Sequence, residues 1–173
     1  MPLPAQLRNR LRIPVLAAGG IVDGRGVVAS LALGAQGVVI GTRFVASNES
    51  QAADGYRKAI VDAQDDSTLR TRAYTGKPAR TIRTRYAEEW EKKADEIQPF
   101  PMQAGISVQQ GVMDYMGRTP IFDVERTFLP AGQSAGMVHE IKPAVEIFQD
   151  IVREAETVIR ERFQSPSPAT RPA

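Results

Sequence analysis

The sequence contains no cysteine, which excludes disulfides, thiolate nucleophiles and cysteine-based metal sites. It contains one histidine, His139. A lone imidazole supports neither a metal-ligand spacing nor a Ser/His/Asp constellation, so no catalytic residue and no metal site is assigned. Aromatic residues make up only 6% of the chain, and none is interleaved with the basic residues of 70–85 in the way base stacking requires. The formal net charge is only +2, too small to imply nucleic acid. No stretch approaches the ~18 consecutive apolar residues of a membrane span, and Met1–Arg12 has no continuous apolar core of a secretory signal. With 173 residues, 42% hydrophobic and 24% charged, a soluble cytoplasmic protein with a real core is expected.

What the sequence does have is concentrated in Pro14–Phe44. The apolar run Pro14-Val15-Leu16-Ala17-Ala18 breaks at Gly19-Gly20, and Gly37-Val38-Val39-Ile40 breaks at Gly41-Thr42. Short runs of small and β-branched residues bounded by glycine predict buried parallel strands. The segment between them is too long for a hairpin and long enough for a crossover helix, with Asp23 as N-cap and Gly34 at the C′ position. Parallel α/β folds bind ligands at the carboxyl ends of their strands, and backbone without a Cβ can approach a phosphate closely. Gly19, Gly20, Gly41 and the Thr42 hydroxyl therefore predict a phosphate cradle. The alternative is that these glycines only make tight βα turns.

Ala17-Ala18-Gly19-Gly20-Ile21 with Asp23-Gly24-Arg25, then Leu33-Gly34-Ala35 and Gly41-Thr42-Arg43-Phe44, resembles the nitronate monooxygenase (2-nitropropane dioxygenase) family. Gly76-Lys77-Pro78-Ala79-Arg80 and Leu129–Gly136 continue the resemblance in the family's order, and related FMN-dependent enoyl-acyl-carrier-protein reductases share these motifs. The resemblance implies FMN as cofactor, and nitronate and O₂ as substrates. In the family, bound nitronate passes an electron to the flavin, and O₂ completes oxidation to a carbonyl compound and nitrite. Carried over residue by residue, the cofactor contacts fall on Gly19, Gly20, Val39, Ile40, Gly41 and Thr42, and on Gln133 and Ser134. Whether Gly132–Gly136 returns to the flavin or only starts a helix is open. The family's active-site histidine is expected upstream of the Gly-Gly strand, outside this sequence. Two other functions compete: an enoyl-acyl-carrier-protein reductase whose NAD(P)H and carrier contacts use the basic 70–85 stretch, and a non-catalytic half-barrel that binds a partner chain or a phosphate ligand.

The implied fold class is α/β: the C-terminal part of a β/α (TIM-type) barrel, its last two strand–helix units followed by a mostly helical region. A complete barrel takes about 250 residues, so a missing N-terminal half or self-association is expected. Residues 1–64 read as barrel units, 65–141 as an irregular and helical insert, 142–164 as an amphipathic helix and 165–173 as a disordered tail. Gln6–Leu11 fits the tail of a preceding helix. Ser47 or Asn48 is expected to cap a helix over Glu49–Ala63. Asp65–Arg85 is polar and lacks a period, so it reads as a solvated face or an electropositive rim. In the final helix Val145, Phe148, Ile151, Val152, Ala155, Val158, Ile159 and Phe163 form one apolar stripe.

Overall fold

A computed structural model describes Gln6 and residues 12–114, 116–118 and 122–163. Most of the expected Gln6–Leu11 helix tail and the 165–173 tail lie outside the described residues. The elements in chain order are β1 (Leu16–Ala18), α1 (Gly24–Ala32), β2 (Gly37–Val39), α2 (Thr42–Val45), α3 (Asp54–Val61), β3 (Thr68–Thr71), β4 (Ala79–Ile82), α4 (Arg85–Glu91), α5 (Met102–Gln109) and α6 (Ala144–Phe163), with single 3₁₀ turns at Ala94–Glu96 and Ala135–Met137. They fall into two compact units: Met1–Val39 with Val145–Ala173, and Ile40–Ala144.

The first unit is the expected strand–helix–strand. β1 and β2 pair in parallel, with Ala17 opposite Val38 and Ala18 opposite Val39. The Asp23 carboxylate accepts the Gly26 N–H at 2.9 Å, satisfying one of the donors that a helix start leaves open. At the other end Gly34 has φ +90°. There the Gly34 N–H donates to Leu31 and the Ala35 N–H to Ser30, the paired bonds of a Schellman stop.

Packing of α6 onto α1 depends on a missing side chain. A Cβ at Gly24 would come within 2.3 Å of the Ala155 nitrogen and 2.6 Å of the Ile151 oxygen, so the two backbones are in contact there. Glu154 on α6 accepts the Gly24 N–H at 2.8 Å and lies 3.4 Å from Arg25. An acidic side chain thus serves a second orphan donor at the start of α1, where the helix dipole also favours it.

The α6 stripe divides. Ile147 and Ile151 are buried, whereas Val145 and Phe148 are 58% and 60% exposed. Expected burial of the strands also holds on one face only: Val15 and Ala17 are buried, but Leu16 is 58% and Val39 53% exposed. Two strands cover one face with α1 and leave the other bare among the described residues. We expect Ile151→Ala to cost about 2–3 kcal/mol in urea unfolding, the lower part of the usual range for a buried isoleucine. Unchanged stability would show that α6 does not hold this unit together.

The second unit is centred on an aromatic cluster. Tyr74 stacks on Phe128 with centroids 4.7 Å apart and lies 5.1 Å from Tyr86. Ala73, Ala87 and Val112 close the cluster. The Tyr74 hydroxyl is bonded to Thr84 Oγ1 at 2.7 Å, and burial pushes its phenol above the ordinary tyrosine range, keeping it protonated. Gln103, fully buried, donates to the Ala73 carbonyl at 2.7 Å and accepts the Gln98 N–H at 3.0 Å.

Two expectations fail here. The stretch read as aperiodic contains an antiparallel hairpin, β3–β4, with Thr68 opposite Ile82 and Arg70 opposite Arg80. Residues 129–131 extend it: Ile82 donates to the Leu129 carbonyl and Ala131 to that of Arg80. The region expected to be mostly helical thus also holds a β-hairpin. The helix expected from Glu49 starts at Asp54, after Ala53 and without a side-chain cap. Residues 47–49 are bonded elsewhere. Ser47 bridges to Lys142, Asn48 donates to the Lys142 carbonyl, and Glu49 accepts the Ala144 N–H at 2.8 Å.

Candidate functional site

The residues expected at the cofactor fall into two groups, one in each unit. In the first, Gly19 and Gly20 follow β1 with φ of +88° and +73°. Two successive left-handed residues require glycine for the turn itself. Because Ala18 pairs with Val39, this turn and Val39 lie at the same end of the two-stranded sheet. Gly19, Gly20 and Val39 are all exposed.

The second group is built around α2. Gly41 precedes this helix with φ −102°, a value any residue adopts. A Cβ there would meet no atom within 4 Å. Nothing in the fold of this unit requires glycine at 41, and its bare face is open. The Gly41 carbonyl accepts the N–H groups of Phe44 and Val45. Ile40, next to it, is half-buried.

Thr42 was expected to offer its hydroxyl to a ligand. Its Oγ1 accepts the Gly132 N–H at 2.9 Å. A hydroxyl has one proton and two lone pairs, so the proton stays available for donation. That bond brings the 132–136 segment to Gly41-Thr42. An added Cβ on Gly132 would lie 3.5 Å from Thr42 Oγ1 and 3.8 Å from Ser134 Oγ. The segment runs into a single 3₁₀ turn, Ala135–Met137, as the helix-start or turn reading of it expects. Gln133 is exposed and Ser134 buried. Gly136 lets the turn approach the chain after α3: its Cβ would come within 2.8 Å of Gln64 and 3.0 Å of Asp65.

Arg43 is the residue that sequence reasoning passed over. It is buried, and its Nη1 donates to the Glu140 carbonyl at 3.1 Å. Lys142 lies 2.7 Å from the Glu140 carboxylate. Together with Thr42 and the 47–49 bonds, Arg43 fastens residues 132–144 along residues 42–49. An arginine following a glycine-threonine pair was the available signal, but its partner lies 97 residues away. His139 is exposed on this strap. Among the described residues no group of histidine, cysteine or carboxylate side chains could hold a metal, and no helix is long and apolar enough to cross a membrane.

Comparison with known proteins gives one consistent answer. Residues 1–154 match the family described as nitronate monooxygenase. A probable nitronate monooxygenase of Staphylococcus aureus (strain JH9) is 36% identical over 160 residues, covering 91% of this chain and 43% of the relative. One of Staphylococcus saprophyticus is 35% identical, covering 92% and 43%. Among solved structures, FabK from Thermotoga maritima is similar with TM-score 0.76 and 40% identity, over 92% of this chain and 49% of that one. Nitroalkane oxidase from Streptomyces ansochromogenes has TM-score 0.74 and 31% identity, over 90% and 43%. The chain spans less than half the length of the curated relatives it matches, corresponding to their C-terminal portion. On sequence and structure alike, this chain belongs to the nitronate monooxygenase family.

Proposed function

We propose that the chain supplies part of the FMN site of an oxidoreductase that oxidises alkyl nitronates with O₂ to carbonyl compounds and nitrite. The observation that carries this reading is Gly41. No packing or backbone reason within its unit calls for glycine there, yet the position opens beside a threonine hydroxyl and the 132–134 segment. A backbone that must approach a phosphate gives such a residue a purpose. Thr42 would donate its remaining proton to a phosphate oxygen. Gln133 offers an exposed amide, and Ser134 supports the turn that presents it. Gly19, Gly20, Val39 and Ile40 would supply backbone contacts to the same cofactor. The flavin, when bound, supplies the redox chemistry. The protein groups bind and orient it.

Gly41→Val is the direct test, because φ at 41 tolerates a side chain and no neighbour obstructs it. Gly20→Val is a poorer probe, since φ +73° strains any side chain regardless of ligand. We expect Gly41→Val to keep its Tm and to lose at least about tenfold in FMN affinity, ~1.4 kcal/mol, by quenching of flavin fluorescence. Equal affinity in the two proteins would remove Gly41 from the site. In a complete barrel, nitronate-dependent oxygen uptake is the expected activity. NAD(P)H-dependent enoyl reduction in its place would move the assignment to the reductases.

A further inference from the structure

Six cations lie between residues 70 and 85, and they differ in their surroundings. Arg83 is 3.5 Å from Glu88 and Arg85 is 4.0 Å from Glu89. Lys77 sits 4.0 Å above the Phe100 ring. Arg70, Arg72 and Arg80 have no carboxylate within ion-pair distance among the described residues. Their polar contacts are neutral: Arg72 donates to the Ala94 carbonyl at 3.4 Å, and Arg80 to Thr68 Oγ1 at 3.1 Å. Arg70 and Arg80 are moreover direct cross-strand partners. Like charges directly opposite destabilise a sheet, and these two, both exposed, are screened by solvent and face no carboxylate among the described residues.

A cleft of about 270 Å³ lies beside the end of this hairpin. Arg70, Thr71, Arg72 and Pro78 line it from the hairpin, and Glu91, Ala94 and Ile97 line it from the end of α4 and the turn after it. Glu91 is the carboxylate in this lining, and its Oε1 accepts the Thr71 hydroxyl at 2.6 Å. The hairpin wall therefore carries two arginines, and Arg80, outside the lining, is the cross-strand partner of one of them. Guanidinium forks match phosphoryl oxygens in geometry as well as charge. The cleft has room for a small molecule.

We propose that this cleft binds the phosphoryl end of a small soluble ligand, held by Arg70 and Arg72 and assisted by Arg80. The bound anion would neutralise the repulsion between Arg70 and Arg80 that the hairpin otherwise carries. The site uses none of Gly41, Thr42, Gln133 or Ser134, so it stands apart from the flavin reading.

The test uses the 173-residue chain at low salt with inorganic pyrophosphate as probe, followed by calorimetry and by the shift in Tm. Pyrophosphate is expected to raise Tm by mass action. Arg70→Gln combined with Arg72→Gln should bind at least tenfold more weakly, while its ligand-free Tm stays equal or rises because the opposed charges are gone. Arg83→Gln, which touches a paired arginine, should bind as the parent does. Gly41→Val should keep the response, which separates this cleft from the flavin candidate. A second arm uses ADP: binding with the same arginine dependence assigns a nucleotide as the source, and failure of ADP where pyrophosphate binds assigns a bare phosphoryl ligand. The proposal is overturned if the double variant binds like the parent, if Gly41→Val abolishes the response, or if only a long polyanion such as heparin binds.

Discussion

Replacing Gly76 with alanine is expected to lower Tm by roughly 10 °C, the shift that ~2–5 kcal/mol produces in a chain of this size. Two costs combine. Gly76 has φ +80°, where an L residue costs about 1–2 kcal/mol. Its Cβ would also come within 2.5 Å of the Phe100 nitrogen, 2.6 Å of the Gln98 oxygen and 2.7 Å of the Pro99 carbonyl carbon. All three are backbone atoms, and no side chain can rotate aside. Overpacking of that kind adds about 1–3 kcal/mol. Gly111 gives the control. Its φ is +71°, but a Cβ there meets nothing within 4 Å. Gly111→Ala should therefore show the conformational cost alone, about 1–2 kcal/mol. Thermal unfolding of both variants checks the argument, and equal losses would show that the approach of residues 98–100 to the hairpin loop contributes nothing. Gly76 opens the Gly76–Arg80 motif that helped mark the family, so that motif's first position has a structural role.

The sequence was most legible where the signals were local. The parallel pair β1–β2, the Asp23 cap and the Gly34 stop each depend on residues within a few positions of one another, and each is present as read. The hairpin was hidden because all the buried positions of its strands but Ile82 are polar. Thr68, Thr71 and Thr81 are buried, with Thr81 bonded to Leu129 and Thr71 to Glu91 and Ala73. A hydrophobic-periodicity reading sees mostly threonine and arginine there, with only Leu69, Ala79 and Ile82 apolar, although threonine suits a strand. The late start of α3 had a distant cause. Residues 47–49 bond to 142–144 and are withheld from the helix. The candidate site was half legible. The order of motifs brought Gly41-Thr42 and 132–134 to attention, but only the fold shows that Thr42 holds Gly132 and that Arg43 anchors the strap.

The 173-residue chain by itself is expected to show no nitronate-dependent oxygen uptake and only weak FMN binding. Among the described residues its parallel sheet has two strands, too few for a stable sheet on its own. Neither outer edge has a ladder partner strand among the described residues, and such an edge is a template for pairing. The exposed faces of Leu16 and Val39 place apolar surface in water where a barrel would place its interior. Burial of each such side chain stabilises by about 1.5–3 kcal/mol, so a polypeptide that covers them has a strong reason to bind. Relatives of which this chain spans 43% contain further sequence that could do so. Mixing with the remainder of a family barrel, supplied as a separate polypeptide, should restore both stoichiometric flavin and turnover. Self-association offers a different route, and it predicts activity that rises steeply with protein concentration and tracks the oligomer in sedimentation. A monomeric, stoichiometrically yellow chain that oxidises a nitronate unaided would refute the argument, because two strands would then suffice to enclose the flavin.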